Sequence, residues 1–202
     1  SPYKIHSRHG YLFASVSDRL TQMQHEQLLD VPSENWELGT RDTGSYATLS
    51  DVVEYLEWLG EKVESTNNRT KKLTNAAKAI AAQETSLTEL MINGEDNIKG
   101  LKDLEGIQII GGEKNPNRKG LVSFRIVGSP SQEIVDFLNV NGIRTHVRKA
   151  DHYSGNILNP LGWEDCIRVS VCHYNSSEEI KSLLLALNEF QMKLPTNQVS
   201  SN

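Results

Sequence analysis

A chain of 202 residues with 37% hydrophobic composition is long enough to bury one good core, or a small domain together with part of another. Its net charge of -5 and pI near 5.7 leave no electrostatic footprint for nucleic acid or an acidic membrane surface. No apolar run approaches the length of a membrane span and nothing resembles a secretory core, so a cytoplasmic protein with reduced thiols is expected.

The chain opens on Ser1-Pro2-Tyr3-Lys4-Ile5, and the apolar run Tyr11 to Ala14 after Gly10 reads as a buried strand. Val16 to Val31 is mixed, and Trp36 to Thr40 leads into a polar, glycine-containing loop ending near Ser45. Thr48 with Asp51 three residues on forms a weak capping box, followed by Leu49, Val52, Val53, Leu56 and Leu59 at helical spacing, with Gly60 interrupting or closing the helix near its end. A second helix is expected from about Arg69 to Met91, with an alanine-rich face suited to close packing, ended by Asn93-Gly94.

The remainder alternates. Ile107 to Ile110 and Leu121 to Val127 read as strands around a turn-rich loop. Ser129-Pro130-Ser131-Gln132 reads as a capping box with proline at the first helical position, opening a helix that turns Ile134, Phe137 and Leu138 inward and stops before Gly142. A short strand follows over Ile143 to Val147 and a longer one over Cys166 to Tyr174. Ser176 to Glu179 caps a last helix with the apolar stripe Ile180, Leu183, Leu184 and Leu187, before a polar tail from Lys193. This pattern predicts a small α+β sandwich, a sheet with helices on one face. Cys166 and Cys172 lie six residues apart on one expected strand, about 20 Å at the usual rise, too far for a mutual disulfide.

Four separated segments carry a resemblance: Ser1 to Lys4, Gly39-Thr40-Arg41-Asp42, Asp151-His152-Tyr153-Ser154-Gly155, and Cys166 to Asn175. In that order and spacing they resemble the second half of a fold-type I pyridoxal-phosphate enzyme, of the class V aminotransferase and cysteine-desulfurase-like group. The resemblance implies an α/β chain in which residues 1–70 end the large PLP-binding domain, residues 71–195 form the small C-terminal α+β sandwich domain, and 196–202 are tail. It also implies that the family's first half, with its glycine-rich phosphate loop and the residues stacking on and pairing with the ring, precedes this sequence or sits on another polypeptide.

The site residues follow from the same resemblance. Lys4 matches the family's Schiff-base lysine; a lysine in that role must be aimed by a rigid edge and partly desolvated, so that its amine is neutral often enough to attack. Thr40 matches the residue that reaches the phosphate of the neighbouring subunit's pyridoxal 5'-phosphate, which implies a homodimer; an ordinary turn threonine would read the same. Arg168 matches the arginine that holds the amino-acid substrate's α-carboxylate, for which its planar fork suits a bidentate grip, with a structural ion pair as the competing role. His152 and Tyr153 are candidates for the pocket lining, beside the reading of a solvent-facing loop. No metal ligands are assigned. The Arg148 to Leu158 loop, where desulfurases of the group carry a nucleophilic cysteine, has none, which argues against a conventional desulfurase. The expected activity is therefore an amino-acid reaction of class V aminotransferase type. Desulfurase-like or C–S lyase chemistry and a non-catalytic binding or dimerisation module are the alternatives.

Overall fold

The computed structural model describes residues 43–193. The chain divides into two compact units between Ala76 and Ala77, each taken by itself below. The expectations for Lys4, Thr40 and the strand at Tyr11 to Ala14 lie outside the described residues.

The described part of the first unit holds helix α1 (Thr43–Val63) and the opening turns of α2 (Arg69–Asn93). Two readings of α1 are corrected. Thr48 is not a cap: it sits inside the helix, where its hydroxyl donates back to the Gly44 carbonyl at 2.8 Å. Gly60 does not end the helix either, since α1 runs on to Val63. A Cβ at Gly60 would stand 1.8 Å from the Lys72 carbonyl oxygen, so glycine is there to let two backbones touch. The same contact is flanked by ion pairs from Arg69 to Glu57, Lys71 to Glu64 and Lys72 to Glu61. Asn68 caps α2 by accepting the Lys71 amide at 2.9 Å.

The second unit begins within α2. A tight two-stranded hairpin follows, β1 (Gly94–Glu95) and β2 (Ile98–Lys99), turned through Asp96 at φ 50°. Then come β3 (Ile107–Ile109), β4 (Leu121–Ile126), α3 (Ser131–Val140), β5 (His146–Lys149), the short α4 (Gly155–Leu158), β6 (Asp165–Ser170) and α5 (Ser177–Lys193). The four longer strands form one antiparallel sheet in the order β3-β4-β6-β5. Val122, Phe124 and Ile126 of β4 and Ile167 and Val169 of β6 turn to one face. There they bury against Leu87 and Met91 of α2, Ile134 and Leu138 of α3, and the Ile180–Leu183–Leu184–Leu187 stripe of α5. This is the sheet with helices on one face that the alternation of elements predicts.

Three boundaries move for physical reasons. At α3 the cap position falls on Pro130, with no side-chain cap bond, and Gln132 turns to Asp136 instead of reaching back to Ser129. The strand expected over Ile143 to Val147 begins at His146, because the Ile143 amide is held by the Leu138 carbonyl at the end of α3. β6 stops at Ser170, beyond which Asn175 folds the chain back, its side chain accepting the Cys172 amide at 2.8 Å.

Candidate functional site

β6 is an interior strand between β4 and β5, and its side chains alternate between the helix-packed face and the opposite face of the sheet. Cys166, Ile167 and Val169 are buried and Arg168 is half-buried. Arg168 faces away from the helical core. Its direct Cα partners are Ser123 on β4 and His146 on β5, so one row across the sheet reads Ser123–Arg168–His146. The neighbouring row on the same face holds Gln108 opposite Arg125 and Cys166 opposite Arg148. Arg125 donates from Nε to Gln108 Oε1 at 2.8 Å, and its guanidinium lies 4.4 Å from the centre of the Trp163 ring. Trp163 packs with Leu158 and Cys166 in a second, smaller apolar cluster on this face, beside Ile110 and Ala150.

The cysteines differ in environment. Burial pushes the Cys166 thiol pKa up and the adjacent Asp165 charge adds to it, while Arg148 and Arg168 pull the other way. Cys172 is half-buried, and a hydrogen bond to its thiol raises the Tyr174 hydroxyl.

The loop after β5 carries the other two candidates. Asp151 organises it: its carboxylate accepts the amides of Tyr153 at 2.9 Å and Ser154 at 3.1 Å, and these bonds hold its carboxyl below the usual range. The His152 ring rests on Tyr153 with 3.9 Å between centroids, and Tyr153 is 79% exposed. The loop leaves the sheet at Lys149, paired with Asp165, three residues along β6 from Arg168 and so about 10 Å away at the usual rise. His152 and Tyr153 are therefore brought together with each other, while the immediate neighbours of Arg168 are His146 and Ser123. Those two were not singled out in the sequence. Only the pairing register reveals them, and that register joins residues more than twenty positions apart.

The turn-rich loop between β3 and β4 is closed by Arg118, whose guanidinium donates to the carbonyls of Ile110 and Gly112. Burial lowers its pKa, although a guanidinium stays charged under any ordinary condition.

An antiparallel four-stranded sheet with helices stacked on one face is a fold shared with solved cysteine desulfurases. The apo structure of cysteine desulfurase from Thermococcus onnurineus superposes with a TM-score of 0.62 at 23% identity, covering 81% of this chain and 34% of its own. The Escherichia coli cysteine desulfurase CsdA, in its S-sulfonic acid form, gives 0.57 at 20% identity over 78% of this chain and 32% of its own. A family model described as Aminotransferase class-V matches residues 14–183, and the chain belongs to that family. Among curated proteins, one named probable cysteine desulfurase from Xylella fastidiosa is 26% identical over 160 residues, 79% of this chain and 32% of that protein. Another of the same name from Pseudomonas putida is 34% identical over 113 residues, 56% of this chain and 25% of that protein. The chain thus spans a quarter to a third of the length of these relatives. No helix among the described residues is long and apolar enough to cross a membrane.

Proposed function

We propose that this chain is the C-terminal part of a pyridoxal-phosphate-dependent enzyme acting on an amino acid, with Arg168 gripping the substrate's α-carboxylate. The observation that carries this reading is the setting of Arg168. It is a half-buried guanidinium on an interior strand, between buried Ile167 and Val169, with the polar side chains of Ser123 and His146 on either side. Fixing a long cationic side chain on a rigid, partly desolvated sheet strengthens a bidentate hold on a carboxylate.

Lys4 is assigned the covalent attachment of the cofactor and the movement of the substrate's α-proton. Thr40 is assigned the cofactor phosphate of the neighbouring subunit in a homodimer. Pyridoxal phosphate, when bound, supplies the electron sink that lets a bond at the substrate's Cα break. The described donors, guanidinium and imidazole, fit the carboxylate end of such an assembly.

The names of the relatives favour a second reading, cysteine desulfurase-like or C–S lyase chemistry. On this reading sulfur is not carried as a persulfide on the loop from Arg148 to Leu158, which holds no cysteine. Cys166 is unsuited to replace it, since it is buried in the Trp163 cluster and burial raises its thiol pKa.

The test uses the full-length protein, or this chain assembled with the polypeptide that carries the preceding half, reconstituted with pyridoxal phosphate. Lys4→Ala is expected to abolish the visible absorption of the bound cofactor. An unchanged visible spectrum in that variant places the attachment elsewhere, and a wild-type protein that never develops the band is a non-catalytic module.

A further inference from the structure

A cavity of about 480 Å³ opens where the end of α3, the approach to β5, the end of β6 and the first turns of α5 meet. That size is ordinary for a small-molecule site. Part of its wall is apolar and buried, formed by Val169, Val171, Ile180 and Leu183.

Its lining carries one cation and one carboxylate, Arg144 and Glu179. Arg144 is exposed just before β5, and its side chain makes no ion pair or hydrogen bond among the described residues. Glu179 receives both of its cap bonds, from Asn175 and Ser176, on Oε2, which leaves Oε1 open. The two opposite charges therefore line one cavity without pairing with each other. A third group there also lacks a partner. Thr145 is 5% exposed, and its Oγ1 is buried without a hydrogen bond. A buried hydroxyl in that state is costly, and one χ1 step exchanges it with the methyl group on the same carbon.

We infer that this cavity binds a free α-amino acid with an apolar side chain, its carboxylate on Arg144 and the Thr145 hydroxyl, its ammonium on Glu179 Oε1, and its side chain along Val171 and Leu183. A simple anion would meet Arg144 but face the Glu179 carboxylate, and a simple cation would meet the reverse. A zwitterion satisfies both charges at once. The carboxylate gives the guanidinium a planar acceptor and offers Thr145 the partner it lacks. An apolar side chain suits a wall of valine, isoleucine and leucine, where a polar one would lose its water without gaining a partner. The inference is independent of the role given to Arg168, which faces away from the helical core that Ile180 and Leu183 join.

Hydrogen-exchange mass spectrometry on the full-length protein, reconstituted with pyridoxal phosphate, reads the cavity wall directly. The probes are L-valine, L-leucine and L-methionine, each beside its amide, which lacks the carboxylate, and its deaminated acid, which lacks the ammonium. The amino acids are expected to slow exchange in segments 141–145 and 179–183. The amide or the deaminated acid should need at least about a tenfold higher concentration for the same slowing, the size of one charge-assisted contact. Arg144→Met is expected to raise the amino-acid concentration required by about tenfold and to leave that of the amide unchanged. No slowing in these segments with any of the three amino acids overturns the inference. Equal slowing by an amino acid, its amide and its deaminated acid does so too, since it marks an apolar cleft only, and this comparison needs no variant. Slowing in Arg144→Met that matches the wild type also overturns it, because the amino acid then acts from another place.

Discussion

Arg168 stands directly across the β5–β6 ladder from His146. With Ser123 opposite it on the other side, the guanidinium belongs to a row of three polar side chains that crosses β4, β6 and β5. A residue held this way has few rotamers to lose on binding, so its geometry matters as much as its charge. Arg168→Lys is expected to weaken amino-acid binding by about 1.5–3 kcal/mol while leaving cofactor binding nearly unchanged, because lysine keeps the charge and loses the planar fork. Calorimetric titration of the loaded enzyme with an amino acid and its decarboxylated amine reads this directly. Equal affinities of the wild type for the two would exclude the carboxylate role.

The start of α5 makes a pH-dependent contribution to stability. The Ser176 amide donates to the Glu179 carboxylate at 2.8 Å, the Glu179 amide donates to Ser176 Oγ at 3.2 Å, and Asn175 Nδ2 adds a third bond at 3.0 Å. The Ser176 amide first, then Asn175, hold the Glu179 carboxyl below its ordinary value of 4.5. A carboxyl depressed in the folded state stabilises fully above its unfolded pKa, and that contribution fades as pH falls through the folded value. Ser176→Ala is expected to cost about 1 kcal/mol at neutral pH. Glu179→Gln should lower the melting temperature at pH 7 and much less at about pH 3, below the usual carboxylate range. An equal deficit at both pH values would show that the ionised carboxylate is not what holds the cap.

Gly120 is pinned between two elements. Its carbonyl accepts the Val171 amide at 2.8 Å and its own amide donates to Glu84 at 3.2 Å. A Cβ there would lie 2.4 Å from the Val171 carbonyl oxygen and 2.9 Å from Glu84 Cδ. Gly120→Ala is therefore expected to destabilise by about 1–3 kcal/mol, the range of an overpacked contact. Urea melts measure the loss, and a midpoint equal to wild type would mean the backbone yields freely at this point.

Thiol labelling separates the two cysteines. Cys172 is half-buried and Cys166 is 2% exposed, with burial raising its pKa. Under native conditions a small alkylating reagent should modify Cys172 well before Cys166, and Cys166 should react at a comparable rate only after unfolding. Faster native labelling of Cys166 would contradict its place beneath Trp163 and Leu158.

Local patterns were the legible part of this chain. The Ser176–Glu179 box and the Ile180-to-Leu187 stripe announce α5, and the Val122–Phe124–Ile126 alternation announces β4, because each depends on residues within one or two turns of one another. Thr48 and Ser129 misled as caps for a related reason. A Ser or Thr with an acidic or amide residue three positions on is common, and the backbone around each is set by neighbours: α1 already begins at Thr43, and Pro130 takes the cap position of α3. Gly60 reads as a stop in one dimension and is a backbone contact with Lys72 in three. Within the candidate site, Arg168 stood out as a charge among apolar strand residues. His146 and Arg148 did not, because strand register is a non-local property that no window of sequence contains.

The last helix also constrains the order in which this unit is completed. Leu183, Leu184, Leu187 and Phe190 of α5 are buried in the main core. The same helix ties down the hairpin and the start of β3: Lys181 pairs with Glu95 at 2.6 Å, and Gln191 exchanges bonds with the Glu105 amide at 3.2 Å and carbonyl at 2.7 Å. Segments some eighty residues earlier therefore lack the α5 part of their packing until that helix exists. On a ribosome that adds roughly 5–20 residues each second, they wait several seconds with their apolar side uncovered. A nascent chain halted anywhere before Phe190 leaves the α5 side of the core open.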